Sequence, residues 1–244
     1  MLEVRALTKR FGALRASDGI DFDVAEGETH AVIGPNGAGK TTFLSQLAGS
    51  LYPDGGRVRF AGEDITRMPA HQRARRGLAR SFQITSVFLG FTALRNVALA
   101  VQAHDGRLGF WRDAREDATL NDRAAQILQD VGLGERLDVP AVRLSHGEHR
   151  QLEVAMALAT EPRLLLLDEP MAGMGTEESQ RMIGLLSRLK QTRTIVLVEH
   201  DMDAVFRLAD RISVLVYGRV IATDVPDKIK ANPEVRRAYL GEDS

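Results

Sequence analysis

Apolar residues recur along the chain with two different periods, and the places where the period changes mark its parts. Residues 2–7 and 20–24 alternate apolar with polar positions, the pattern of antiparallel strands buried on one face. Val58, Arg59 and Phe60 repeat it after a turn at Pro53, Asp54, Gly55 and Gly56. Residues 164–167, 194–198 and 212–216, with Ala31, Val32 and Ile33, are continuously apolar, as suits parallel strands covered on both faces. Helical spacing is predicted for residues 40–47, 68–80, 92–104, 112–131, 147–159, 177–190 and 226–240. A turn at Tyr217, Gly218 and Arg219 followed by residues 220–222 is expected to close a short β-ribbon. Between about Phe88 and Thr160 no stretch reads as a strand. The expected organisation is therefore one α/β domain over 1–244, with a core and β subdomain from 1–87 and 161–244 and an inserted helical lobe at 88–160.

Composition narrows the class. The 244 residues are 44% hydrophobic and 27% charged, with a net charge of −1, so no global basic field attracts nucleic acid or anionic lipid. The basic run Arg73, Arg75, Arg76 and Arg80 reads as a solvated helix face. The absence of cysteine excludes disulfides, thiolate zinc sites and cysteine-ligated iron–sulfur clusters. The first residues, Met1 to Arg5, lack the apolar core of a signal peptide, and no uncharged apolar run approaches ~18 residues. If a membrane matters to this chain, a partner is expected to supply it.

Candidate chemistry centres on residues 29–42. After the apolar run come Gly34, Pro35, Asn36, Gly37, Ala38, Gly39, Lys40, Thr41 and Thr42, a phosphate-loop motif between a strand and a helix. Glycines let backbone N–H groups curl around phosphate oxygens, and the helix N-terminus adds partial positive charge. Lys40 is a mobile cation for the outer phosphates, and the Thr41 hydroxyl is a candidate Mg²⁺ ligand. The apolar run 164–167 then delivers Asp168 and Glu169 at its carboxyl end, where such strands place their ligands. Asp168 suits the metal and Glu169 suits a base that accepts a proton from water. His200, after the run 194–198, is placed to donate to a γ-phosphate and to steady Glu169. Ser145 and Glu148 form a capping box, which a well-capped helix alone would explain.

The order of phosphate loop, Gln83, Leu144-Ser145-His146-Gly147-Glu148, Asp168-Glu169 and His200 resembles the ATP-binding subunits of ABC transporters over essentially the whole chain. The resemblance implies an α/β P-loop NTPase (RecA-like) core with a mostly parallel sheet, an N-terminal antiparallel β subdomain and an inserted helical lobe. It implies that Ser145 and Gly147 present a helix N-terminus to the γ-phosphate of ATP held by the opposite subunit. By the same resemblance Gln83 reaches Mg²⁺ and the attacking water, and the ring of Phe11 stacks on adenine. A buried core role for Phe11 stays open at this point. The sequence departs from the family at His146 (for Gly), Glu148 (for Gln) and Gly175, where Asp or Asn is frequent. His146 either adds a contact or hinders close approach.

Phosphate positioning, a Mg²⁺ site and a candidate base are all present and no acceptor domain is visible, so hydrolysis is expected. Ile84, Val87, Phe88, Leu89 and Phe91 are either packing for the lobe or a groove for a short helix of a transmembrane partner. Lys9 to Gly12, Val198 to Met202 and the ending Asn232 to Glu242 resemble bacterial importers of branched-chain or other hydrophobic amino acids, and the strings around His146 and Met171 are similar to urea-importer subunits. The implied partners are transmembrane permease subunits, an identical or paralogous ATP-binding subunit and, indirectly, a periplasmic solute-binding protein. Nucleic acid is not among them. The expected place is cytoplasmic, peripheral on the inner face of the plasma membrane. The competing readings are a soluble ABC ATPase acting on nucleic acid or ribosomes, and a stand-alone nucleotide-binding regulator.

Overall fold

Strand β1 (Leu2–Phe11) and strand β2 (Leu14–Val24) pair as a hairpin, and β4 (Gly55–Phe60) and β5 (Glu63–Asp64) extend the antiparallel sheet in the order β2-β1-β4-β5. The computed structural model describes residues 1–81, 87–106 and 117–240. A second sheet contains β3 (Thr29–Ile33), β6 (Leu78–Arg80), β7 (Leu164–Asp168), β8 (Thr194–Val198), β9 (Arg211–Val216) and β10 (Arg219–Asp224). Its order is β10-β9-β3-β8-β7-β6, parallel from β9 to β6, with β10 antiparallel at one edge.

Helix α1 (Lys40–Ala48) lies between the two sheets. Its Phe43, Leu44 and Leu47 share one core with Leu2, Val4 and Phe22 from the antiparallel sheet and Leu164, Leu166 and Val196 from the parallel one. The alternate residues Leu165, Leu167, Ile195 and Leu197 enter a second core on the opposite face. There they meet α5 (His146–Leu158) and α6 (Thr176–Leu189). This explains why β7 and β8 show no polar face in the sequence: each side of the sheet is buried. Helices α3 (Ala93–Asp105) and α4 (Ala118–Asp130) pack with α5, and between β6 and β7 the described residues contain no strand.

Three sequence expectations are corrected. The helix predicted over 68–80 is α2 (Ala70–Arg75) alone; Gly77 at φ +89° ends it, and residues 78–80 join the sheet beside β7. The predicted terminal helix is divided into α8 (Pro226–Ala231) and α9 (Pro233–Leu240), because Pro233 cannot continue a helix while Asn232 accepts from the Glu234 amide. The third correction concerns Arg73, which is fully buried rather than solvated. Its Nε donates to Met68 O, its Nη1 to Gln46 O and Leu47 O, and its Nη2 to Ile65 O and Thr66 O. Burial pushes its pKa down to about 10. The guanidinium thus ties the carboxyl end of α1 to the segment before α2, where a cation also suits the helix dipole. Helix α7 (Met202–Leu208), capped by Asp201, follows β8.

Arg73→Ala strands several buried carbonyls and is expected to cost ~3–5 kcal/mol of stability, read from the urea midpoint. Arg73→Lys, with a single donor nitrogen, should recover only part of this. An unchanged midpoint in the alanine variant would contradict the anchoring role.

Candidate functional site

The phosphate loop leaves β3 between β8 and β9, in the middle of the parallel strands. Residues 34–39 turn into α1 with no side-chain cap, and Gly39 adopts φ +103°. A Cβ on Gly39 would strike the Ala16 carbonyl, and one on Gly34 would strike that of Leu215. The loop is clasped from outside by backbone bonds: Gly218 N–H donates to Ala38 O at 2.9 Å, and Asp18 N–H donates to Gly218 O at 2.8 Å. Lys40 is buried and its Nζ donates to Gly34 O at 2.7 Å and Pro35 O at 3.0 Å. Desolvation lowers its pKa, opposed by the nearby charges of Glu169 and Asp168. Asn36, Gly37 and Thr41 are exposed, and Thr42 is half-buried.

The strand order brings β7 two places from β3, with β8 between them. Asp168 pairs in register with Val198 at the end of β8, so Lys40, Asp168, Glu169 and His200 leave the same edge of the sheet. Arg80, read in the sequence as part of a solvated face, is half-buried at the end of β6. Its Nη2 meets Asp168 Oδ2 at 2.7 Å and its Nη1 donates to Ser45 Oγ at 3.0 Å. Asp168 Oδ1 is buried and, among the described residues, has no hydrogen-bond partner. An orphaned carboxylate oxygen close to the phosphate loop fits a cation. Among the described residues no group of three acidic, His or Cys side chains could hold a metal alone.

Glu169 has φ +48°, a left-handed conformation that costs of order 1–3 kcal/mol in a non-glycine residue unless its surroundings hold it. Its N–H donates to Val198 O at 2.9 Å, and its Oε1 lies 4.0 Å from His200 Nδ1. Glu199 is buried, with its Oε2 3.8 Å from the same His200 Nδ1.

At the N-terminus of α5 the capping box is complete: Ser145 Oγ accepts from Glu148 N–H, and Glu148 Oε2 accepts from Ser145 N–H. Burial opposes the charge on Glu148, but its bonds from Arg136 and the Ser145 amide prevail and hold its pKa below the usual value. Ser145 Oγ also donates to Glu178 Oε1 at 3.1 Å, so a carboxylate of the same chain sits on this helix end, packed against Gly147. His146 Nε2 donates to Ala172 O at 2.9 Å, joining α5 to the loop after Glu169. Gly175 is the residue before α6 and has no side chain to offer.

Phe11 ends β1 at the hairpin tip and is 49% exposed, which removes the core reading. The same hairpin carries Ala16, which backs Gly39, so Phe11 stands on the strand pair that borders the phosphate loop. Val87 is buried in the lobe, whereas Phe88, Leu89 and Phe91 are exposed and the two phenyl rings stack with centroids 5.3 Å apart. Gln83 and Ile84 lie outside the described residues. Sequence reasoning missed Arg80, Glu178 and Glu199. For Arg80 the glycine at position 77, followed by Leu78 and Ala79, was a usable signal of a strand end.

A family model described as "ABC transporter" matches residues 17–172. The chain belongs to this family. A second model, "Branched-chain amino acid ATP-binding cassette transporter", matches residues 219–244. The cassette is 38% identical to the high-affinity branched-chain amino acid transport ATP-binding protein BraF of Pseudomonas aeruginosa, over 99% of this chain and 98% of that one. It is 37% identical to the corresponding protein LivG of Escherichia coli with the same coverage. A crystal structure of a nucleotide-free ATP-binding cassette from an ABC transporter superposes with a TM-score of 0.88 at 28% identity, covering 99% of both chains. The cassette is thus a nucleotide-binding ATPase subunit of a transporter, and none of its described helices is long and apolar enough to cross a membrane.

Because backbone rather than a flexible side chain blocks the space at Gly39, Gly39→Ala is expected to lower stability by roughly 2 kcal/mol and to weaken nucleotide binding with it. Urea unfolding with and without ADP measures both. A variant with native stability and ADP affinity would show that the loop relaxes freely.

Proposed function

We propose that the cassette binds Mg²⁺ and ATP through Phe11, the 34–42 loop and Asp168, and hydrolyses the ATP to drive import of branched-chain or other hydrophobic amino acids. The observation that carries the catalytic part is the common sheet edge from which the Lys40 loop, Asp168, Glu169 and His200 emerge. The solute is inferred from the near full-length similarity to two branched-chain amino acid transport proteins and from the match at residues 219–244.

In this reading Asp168, whose Oδ1 has no partner among the described residues, and the Thr41 hydroxyl would hold Mg²⁺, with Gln83 contributing. Bound there, the metal would neutralise charge on the phosphates. Lys40 exchanges its two carbonyl partners for phosphate oxygens. Glu169 takes a proton from the attacking water, and His200 donates to the γ-phosphate and keeps Glu169 in place. Ser145 and Gly147 serve the ATP of an opposite subunit, identical or paralogous, and Glu178 gives up its place on the α5 N-terminus to that phosphate.

The 88–160 segment acts as the lobe that contacts the permease. Its exposed Phe88, Leu89 and Phe91 suit a short amphipathic helix of a transmembrane subunit. Such a partner keeps the cassette on the inner face of the plasma membrane, beneath permeases fed by a periplasmic solute-binding protein.

Lys40→Ala is expected to weaken ATP binding. Glu169→Gln should bind ATP normally but turn over ~10²–10⁴-fold more slowly. Equilibrium binding and steady-state ATPase assays separate the two effects, and normal turnover in Glu169→Gln overturns the base assignment. Affinity purification from membranes should recover integral membrane subunits; a soluble complex with nucleic acid instead would contradict the transport reading.

A further inference from the structure

Glu199 carries a buried carboxylate with an unusual set of partners. It is 1% exposed, and among the described residues no lysine or arginine pairs with it. Its Oε1 accepts from Met171 N–H at 2.9 Å, and its Oε2 accepts from His200 N–H at 3.0 Å and, at 3.4 Å, from Asp201 N–H. The ring nitrogen His200 Nδ1 is 3.8 Å away. A buried charge needs good hydrogen bonds, and here backbone amides from two separate loops provide them.

The two loops are those that carry the chemistry. Met171 lies two residues past Glu169, and Pro170 between them has no N–H, so the Met171 amide is the first donor available to fix the chain after Glu169. Glu169 sits in a left-handed conformation that persists only when held from both sides. Its own N–H, on Val198 O, holds it on one side; on the other, the Ala172 N–H donates to its carbonyl at 3.1 Å and the Met171 amide is fixed on Glu199. The opposite oxygen of the same carboxylate orders the start of the His200 loop.

We propose that Glu199 is a positioning residue for ATP hydrolysis: one carboxylate bridges the loops after β7 and β8 and sets Glu169 and His200 in register around the attacking water. The inference rests on the reading of Glu169 as the base. It requires both oxygens to be acceptors. A glutamine of the same shape turns an NH₂ group toward an N–H on one side and must release one of the loops.

The test is Glu199→Gln in the full chain, measured beside Glu169→Gln. Expected for Glu199→Gln is a kcat at least about tenfold lower with KM and ADP affinity within about twofold of the parent. Hydrogen exchange should quicken at residues 169–174 and 199–201 while the phosphate loop keeps its protection. Parental kcat in a folded Glu199→Gln, beside an inactive Glu169→Gln, removes this inference and leaves the base assignment standing. Normal turnover in Glu169→Gln removes both. Should Glu199→Gln not fold, Glu199→Asp keeps the charge but is one methylene short of bridging. A kcat loss at unchanged ADP affinity supports the positioning role, and parallel losses in kcat and ADP affinity, or no loss in kcat, overturn it.

Discussion

Because β8 pairs in parallel with β3 on one side and with β7 on the other, the phosphate loop, the acidic pair and the His200 loop all leave one edge of one sheet. That pairing register is the constraint on which the site depends. A slip between β7 and β8 would part Asp168 from Val198 and release the Glu169 amide from the Val198 carbonyl. Burial on both faces guards against it: Leu164 and Leu166 enter one core and Leu165 and Leu167 the other, so neither face is free to trade places. Arg73 adds a second constraint from the far end of α1, holding the helix whose start forms the phosphate loop.

Arg80 and Lys40 at this edge, and Glu178 at the start of α5, have partners within the chain. Arg80 meets Asp168, Lys40 meets two loop carbonyls, and Glu178 rests on the Ser145 hydroxyl. In the proposed cycle Asp168 keeps Arg80 on one oxygen and offers the other to Mg²⁺, Lys40 exchanges its loop carbonyls for phosphate, and Glu178 yields its place to a partner-held phosphate. An exchange of this kind keeps a low-dielectric site from holding unpaired charge and keeps the side chains close to their working positions.

The parts of the fold that were legible in the sequence are those with a strong local signature. The continuous apolar runs of β7, β8 and β9 marked buried parallel strands, and the glycines around Lys40 marked the loop. Residues 78–80 read as part of the helix before them, because three residues carry too short a period to outweigh its spacing and Gly77 alone marked the break. Arg73 and Arg80 looked like a solvated stripe for a related reason: sequence shows a run of charge, but only the fold shows which carbonyls or carboxylates surround it. Glu199 was hidden by its neighbour. Next to a histidine it reads as ordinary loop polarity, and its meaning comes from an amide 28 residues away in sequence.

The central claim is that this chain holds half of a site and that Ser145 and Gly147 complete someone else's. Sedimentation of purified Glu169→Gln tests it most directly, alone and with any paralogous ATP-binding subunit that copurifies with it. The account predicts a monomer with ADP and a dimer with ATP and Mg²⁺ in at least one of the two samples. A chain saturated with ATP that stays monomeric in both would contradict it.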